Sequence, residues 1–109
     1  MGLGIKITRK LGVDEFNEIT KKYSKEDIVC TDHTFFRLSQ KQKKIYTEEE
    51  IIKIVKSEIP FLVGIQENGN YSAFYEYKGR ICRVILAINT RKINIVTFYF
   101  INDWQVPRI

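Results

Sequence analysis

The chain has 109 residues, 44% of them hydrophobic and 13% aromatic, which suits one domain with its own core and is too apolar for a disordered tail. Lys and Arg outnumber Asp and Glu by 18 to 13, for a net charge of +5 and a pI near 9.2, a balance that admits anionic partners. No stretch reaches the roughly 18 apolar residues of a membrane span, and one histidine with two cysteines at no paired spacing makes no zinc site. The expectation is therefore a soluble, cytoplasmic protein with reduced cysteines, no metal and no other cofactor.

In chain order, "VDEFNEITKKY" (13–23) places apolar or aromatic side chains at 13, 16, 19 and 23, with acids early and lysines late, and predicts a first helix. A second helix is expected from about Thr31 to Gln42, capped by Thr31 or Asp32, with Phe35 and Leu38 turned inward. His33 and Arg37 then stand one above the other, off that apolar stripe. In "YTEEEIIKIVKSEIP", Thr47 and Glu50 predict a capping box, Ile51, Ile54 and Val55 form one face, and Pro60 ends the helix.

From Phe61 the period changes to alternation, in "FLVGIQE", "YSAFYEY", "RICRVILAIN" and "INIVTFYF", separated by Asn68-Gly69, Lys78-Gly79 and Thr90-Arg91-Lys92. A two-residue turn at Lys78-Gly79 pairs Tyr75 with Cys82 and Phe74 with Arg83. A three-residue loop at 90–92 pairs Arg83 with Tyr99, Val84 with Phe98, Ile85 with Thr97 and Leu86 with Val96. One face then collects Ala73, Tyr75, Cys82, Val84, Leu86, Ile88, Val96, Phe98 and Phe100, for the helices to cover. The other carries Gln66, Ser72, Phe74, Glu76, Arg83, Ile85, Thr97 and Tyr99.

His33, Arg37, Arg83, Glu76, Thr97 and Tyr99 together hold what metal-free RNA cleavage requires. A base must take the proton of the ribose 2'-hydroxyl, cations must hold the phosphate, and an acid must protonate the leaving oxygen. Histidine titrates near neutrality, and arginine grips phosphate with a fixed fork. Lys41, Lys43 and Lys44 of "KQKK", with Arg80, supply a basic surface for an anionic polymer. Each signal also has a plain reading, as a surface histidine, a solvated lysine run and a half-solvated sheet face.

The stretch from "DHTFFR" through "YTEEEIIKIVKSEIP" to "VTFYF", about residues 32–101, resembles the small nucleases of the barnase, EndoU, colicin and RelE superfamily, especially its toxin branches. The carrying features are a histidine-x-x-x-arginine helix, a capped helix ending before a proline, a hairpin, and a last strand like "VTFY". The resemblance implies an α+β domain of the barnase and RelE-like kind, with N-terminal helices packed on one face of a four-stranded antiparallel meander sheet. Residues 1–60 are expected to be mostly helical, 61–101 to form the sheet and 102–109 a C-terminal tail that closes over an edge. It further implies metal-independent ribonuclease activity on RNA, often in a toxin controlled by an antitoxin or inhibitor protein; the lack of a long apolar segment adds the expectation of no membrane partner. By position His33 and Arg37 match the helix motif, Arg83 the basic residue of the third strand, and Thr97 and Tyr99 the last strand, with Glu76 beside them. Where such proteins commonly continue with a second arginine and a glycine, this chain reads "SQKQKKIY". A non-enzymatic nucleic-acid- or protein-binding module of the same fold stays open beside the nuclease. The discriminating feature is the proximity of His33 to Arg83 and Tyr99.

Overall fold

The alternating C-terminal runs and the amphipathic N-terminal runs cannot bury their apolar sides alone, so they must pack on each other. The computed structural model, which describes residues 6–109, shows an α+β domain in which three helices accompany a six-stranded sheet. The strands are β1 (Ile7–Leu11), β2 (Ile28–Cys30), β3 (Leu62–Gln66), β4 (Tyr71–Tyr77), β5 (Arg80–Ile88) and β6 (Ile93–Ile101). Their order is β1-β3-β4-β5-β6-β2; β2 lies parallel to β6 and every other pairing is antiparallel. The helices are α1 (Val13–Thr20), α2 (Gln40–Ile45) and α3 (Glu48–Ser57). No helix among the described residues is long and apolar enough to cross a membrane.

The four-stranded expectation is thus corrected to six strands. The two additions fall inside the stretch read as mostly helical, where "ITRKL" and "IVC" are too short to show a period. They are edge strands that exist because β3 and β6 offer unpaired backbone.

Register follows the turns. Lys78 and Gly79 both have positive φ, 52° and 78°, as a two-residue hairpin of the type I′ form requires, and Tyr75 pairs with Cys82 and Phe74 with Arg83 as expected. Arg83 pairs with Tyr99, Val84 with Phe98 and Ile85 with Thr97, but a bulge then shifts the ladder so that Leu86 faces Ile95 and Ile88 faces Ile93. The expected Leu86–Val96 pair is therefore not formed. Ile93 and Ile95 are fully buried in place of Val96, which is only half-buried.

The core forms where the helices meet this face: Phe16 of α1 and Ile51, Ile54 and Val55 of α3 cluster with Val63, Ala73, Tyr75, Cys82, Val84, Leu86, Ile93, Ile95 and Phe98. Burial pushes the Cys82 thiol up to about 12, and the Tyr75 phenol is raised as well, by burial. The Tyr75 hydroxyl is buried with no hydrogen-bond partner among the described residues. Leaving a hydroxyl unsatisfied costs about 1–3 kcal/mol, so Tyr75→Phe is expected to raise the urea midpoint. A fall in stability of about 1 kcal/mol or more would show that the hydroxyl has a partner.

The second helix is also corrected. Residues 32–37 form successive turns, and α2 begins only at Gln40, where Ser39 caps it with Gln42 in a reciprocal capping box. The cause is tertiary: Thr31 N–H donates to Ile95 O, the buried Thr34 hydroxyl donates to Ile95 O at 2.7 Å, and Phe98 N–H donates to Thr34 O. The backbone is spent on the edge of β6, so it is not available to a helix ladder. Phe35 and Leu38 still turn inward as expected.

α3 starts where expected, with the Thr47 hydroxyl accepting from Glu50 N–H at 3.4 Å. The Glu50 side chain does not complete the box. It accepts from the Tyr77 hydroxyl and pairs with Lys78 at 3.5 Å, tying the start of α3 to the β4–β5 turn. The Tyr77 hydrogen bond, with Lys78, holds the Glu50 carboxyl below the usual range, while Glu50 pushes the Tyr77 phenol up to about 12. A depressed carboxyl contributes stability that is present above its unfolded pKa and lost as pH falls through its folded one. A raised phenol contributes stability that is full below its unfolded value near 10 and lost as pH climbs towards about 12. Urea unfolding of Tyr77→Phe is expected to show a flatter pH dependence at both ends; an unchanged profile would remove this tie from the pH response.

Candidate functional site

The face away from the helices brings Arg83 into contact with its neighbours through the hairpin registers. Arg83 stands between Phe74 on β4 and Tyr99 on β6, and one register step on the same face lie Ser72, Ile85 and Thr97. Its Nε donates to Ser72 Oγ at 2.6 Å, Nη1 to the Tyr99 hydroxyl at 3.1 Å and Nη2 to Gln66 Oε1 at 3.4 Å. The guanidinium carbon lies 5.2 Å from the centre of the Phe74 ring. Ser72 and Phe74 are fully buried, Gln66 and Tyr99 nearly so, and Arg83 is half-buried.

The β3–β4 turn orients Gln66. Asn68 Oδ1 accepts from the Gln66 amide nitrogen at 3.3 Å and from Asn70 N–H at 3.0 Å, which turns the Gln66 amide oxygen towards Arg83. Three neutral acceptors thus hold a half-buried cation in one rotamer. This pre-orientation means the fork need not be ordered when a ligand arrives.

Arg37 comes from the turn segment that runs along β6, and its guanidinium carbon sits 4.1 Å from the centre of the Tyr99 ring. Tyr99 therefore carries one guanidinium over its ring and receives a hydrogen bond from another at its oxygen. Accepting from Arg83 commits one lone pair of that oxygen and leaves its proton able to be given to a ligand. The ion pairs among the described residues are Lys21–Glu18 and Lys78–Glu50, so neither Arg37 nor Arg83 has a carboxylate within 4.0 Å. Two positive groups converge here without a counter-ion, an arrangement that favours a bound anion.

Three of the six expected catalytic residues, Arg37, Arg83 and Tyr99, are in direct contact in this cluster. Thr97 is half-buried on the same face, and Glu76 is exposed on that face, opposite Ile81 and beyond Phe74 on β4. His33 is exposed in the turn segment; its ring meets Phe36 edge-on at 6.1 Å, and Phe36 is itself 69% exposed. Since the segment is not helical, the four-residue spacing does not stack His33 on Arg37.

Lys41, Lys43 and Lys44 are exposed on α2. Arg80 lies on the opposite face from Arg83, with its guanidinium carbon 4.1 Å from the centre of the Phe100 ring. Strand parity places Ser72 and Gln66 on the correct face, but not as anchors of Arg83. The signal for that role is that they are the uncharged hydrogen-bonding side chains within one register step of it.

Ile109, at the end of the 102–109 tail, lies against β3 on the face that carries Ser72. A Cβ at Gly64, on the Ser72 side of β3, would stand 3.0 Å from Ile109 Cδ1 and 2.5 Å from Ile7 Cγ2. Trp104 is 80% exposed. A cleft of about 750 Å³ lies elsewhere, between Lys25 and Glu26 and the outer side of α3, where Glu48, Glu49, Lys53 and Lys56 mix both charges. Comparison with known protein families, curated proteins and solved structures returned no match.

Proposed function

We propose that this chain is a small endoribonuclease that cleaves RNA by metal-free chemistry, through attack of the ribose 2'-hydroxyl on the adjacent phosphorus. The observation that carries this reading is the placement of two carboxylate-free guanidinium groups on one tyrosine, Arg37 over the ring and Arg83 on the oxygen. Arg37 and Arg83 hold the phosphate as charge builds on its oxygens. The 2'-oxygen forms its bond to phosphorus as the bond to the 5'-oxygen breaks, leaving a cyclic phosphate. In this reading a base takes the 2'-proton, the role that the sequence assigns to His33, and the leaving 5'-oxygen takes a proton from Tyr99. Thr97 and Glu76 flank this path on the same face, and the reading extends to a toxin setting of the kind that the sequence resemblance implies.

A second reading, a nuclease-like module that binds RNA without cutting it, is favoured by one observation. The exposed His33 ring meets Phe36 edge-on at 6.1 Å, while it is Arg37 of the same segment that stacks on Tyr99. Incubating the protein with mixed RNA in chelator, beside His33→Ala, separates the two. Cyclic-phosphate ends produced by the parent and lost in the variant are the expected result. Binding without new ends would leave the module, and equal cleavage by both proteins would remove His33 from the mechanism.

A further inference from the structure

Resting on the ribonuclease reading, we propose that the RNA surface does not stop at Arg83 but turns around the β6 edge to Arg80 and α2, so that one strand is gripped on both sides of the sheet. Tyr99 and Phe100 are consecutive on β6 and therefore point to opposite faces. Each carries a guanidinium at 4.1 Å from its ring centre, Arg37 on Tyr99 and Arg80 on Phe100. A guanidinium stacked on a ring keeps its N–H edges directed outward, where phosphate oxygens can be taken two at a time.

The two stacked cations are joined by basic chain. Phe100 meets Tyr46 edge-on at 5.0 Å, and Tyr46 is the C-cap of α2, whose last turn carries Lys43 and Lys44 after Lys41. At its other end α2 follows directly on the segment that bears Arg37. Arg37, Arg80, Arg83, Lys41, Lys43 and Lys44 have no carboxylate partner within 4.0 Å among the described residues. Acidic groups stand on both sides of the route, Glu76 beside the hairpin and Asp103 after β6 on one, Asp32 in the turn segment and Glu48, which accepts from Cys30 N–H at 3.3 Å, on the other, so it is the unpaired lysines of α2 that mark the path.

The edge itself is passable. β2 ends at Cys30, opposite Ile95, and beyond that pair the turn segment, not a strand, lines β6 among the described residues. A duplex, with a persistence length of about 150 base pairs, is too stiff to fold around a single strand edge, whereas single-stranded RNA bends freely. The surface therefore fits a single strand longer than the one phosphodiester at Arg83.

The test uses the full chain and 2'-O-methyl RNA, which lacks the nucleophile, with binding followed by fluorescence anisotropy across a salt series. For the parent, affinity is expected to rise by about tenfold or more from a dinucleotide to an oligomer of about 12 nucleotides. In Arg80→Ala, and in the triple Lys41→Ala, Lys43→Ala, Lys44→Ala variant, that rise should shrink and the salt slope should fall by about one per phosphate contact removed. The triple variant changes only exposed side chains, so it reports even if Arg80→Ala disturbs the hairpin. Unchanged length and salt dependence in both, with binding still weakened by Arg83→Lys, would overturn the extended track and spare the ribonuclease reading. A preference for duplex of the same sequence would overturn it as well. A parent that neither binds nor cuts any RNA would overturn both.

Discussion

On the ribonuclease reading, Arg83→Lys is expected to lower RNA cleavage by about 10²-fold or more, while the domain stays folded with a melting temperature lower by about 10 °C. Lysine keeps the positive charge, so a loss of this size isolates the geometry of the fork. In the parent, Nε, Nη1 and Nη2 each have their own acceptor in Ser72, Tyr99 and Gln66, and these fix the plane of the remaining N–H groups, which on the proposed reading meet a phosphate. A single ammonium on a flexible stem can satisfy one of those acceptors at a time and has no fixed plane. The bonds lost are to neutral groups and are worth about 1 kcal/mol each, which keeps the domain folded. Initial rates on a short RNA, with circular dichroism melts beside them, measure both quantities. Retention of more than about a third of the parent rate would show that charge alone suffices and that the oriented fork is not used.

Phe98→Ala is expected to cost about 3–5 kcal/mol, the largest stability change predicted for the chain. Phe98 is fully buried, its ring lies 5.7 Å from Tyr46 and 5.4 Å from Phe100, and its N–H holds the turn segment through Thr34 O. Truncation leaves a ring-sized cavity between β6 and the C-cap of α2, in a domain whose whole stability is of order 5–15 kcal/mol. Urea unfolding should show a midpoint lower by about 2 M. A loss under about 1 kcal/mol would mean that the site collapses around alanine and that this end of the core is loosely packed.

The placement of Arg83 opposite Phe74 was readable from the chain, because period-two alternation and the Lys78-Gly79 turn leave one register; the Arg83–Tyr99 pair was met because the bulge offsets a four-residue turn, 89–92, where three residues were expected. The same reasoning failed past Ile85, since a bulge adds a residue without a local sequence mark and replaced Val96 by Ile95 in the core. It failed again at residues 31–39. There the inward positions of Phe35 and Leu38 fit a helix, but Thr31 and Thr34 bond to Ile95 more than 60 residues away, and such a partner is invisible to a local pattern. That competition also decided the candidate site: it carried Arg37 over Tyr99 and left His33 on the outside of the turn.

The amino-acid sequence by itself determined the α+β class, the limits of α1 and α3 to within a few residues, the β4–β5–β6 meander and its two faces, because these follow from periodicity, caps and turn residues acting over short distances. Only the tertiary structure decided the edge strands β1 and β2, the turn that replaced a helix, the escape of Glu50 from its capping box to Tyr77, and the anchoring of Arg83 by Ser72 and Gln66. Each of these depends on which unsatisfied backbone or side-chain group lies within hydrogen-bond reach once the chain has folded, and that is set by contacts between residues far apart in sequence.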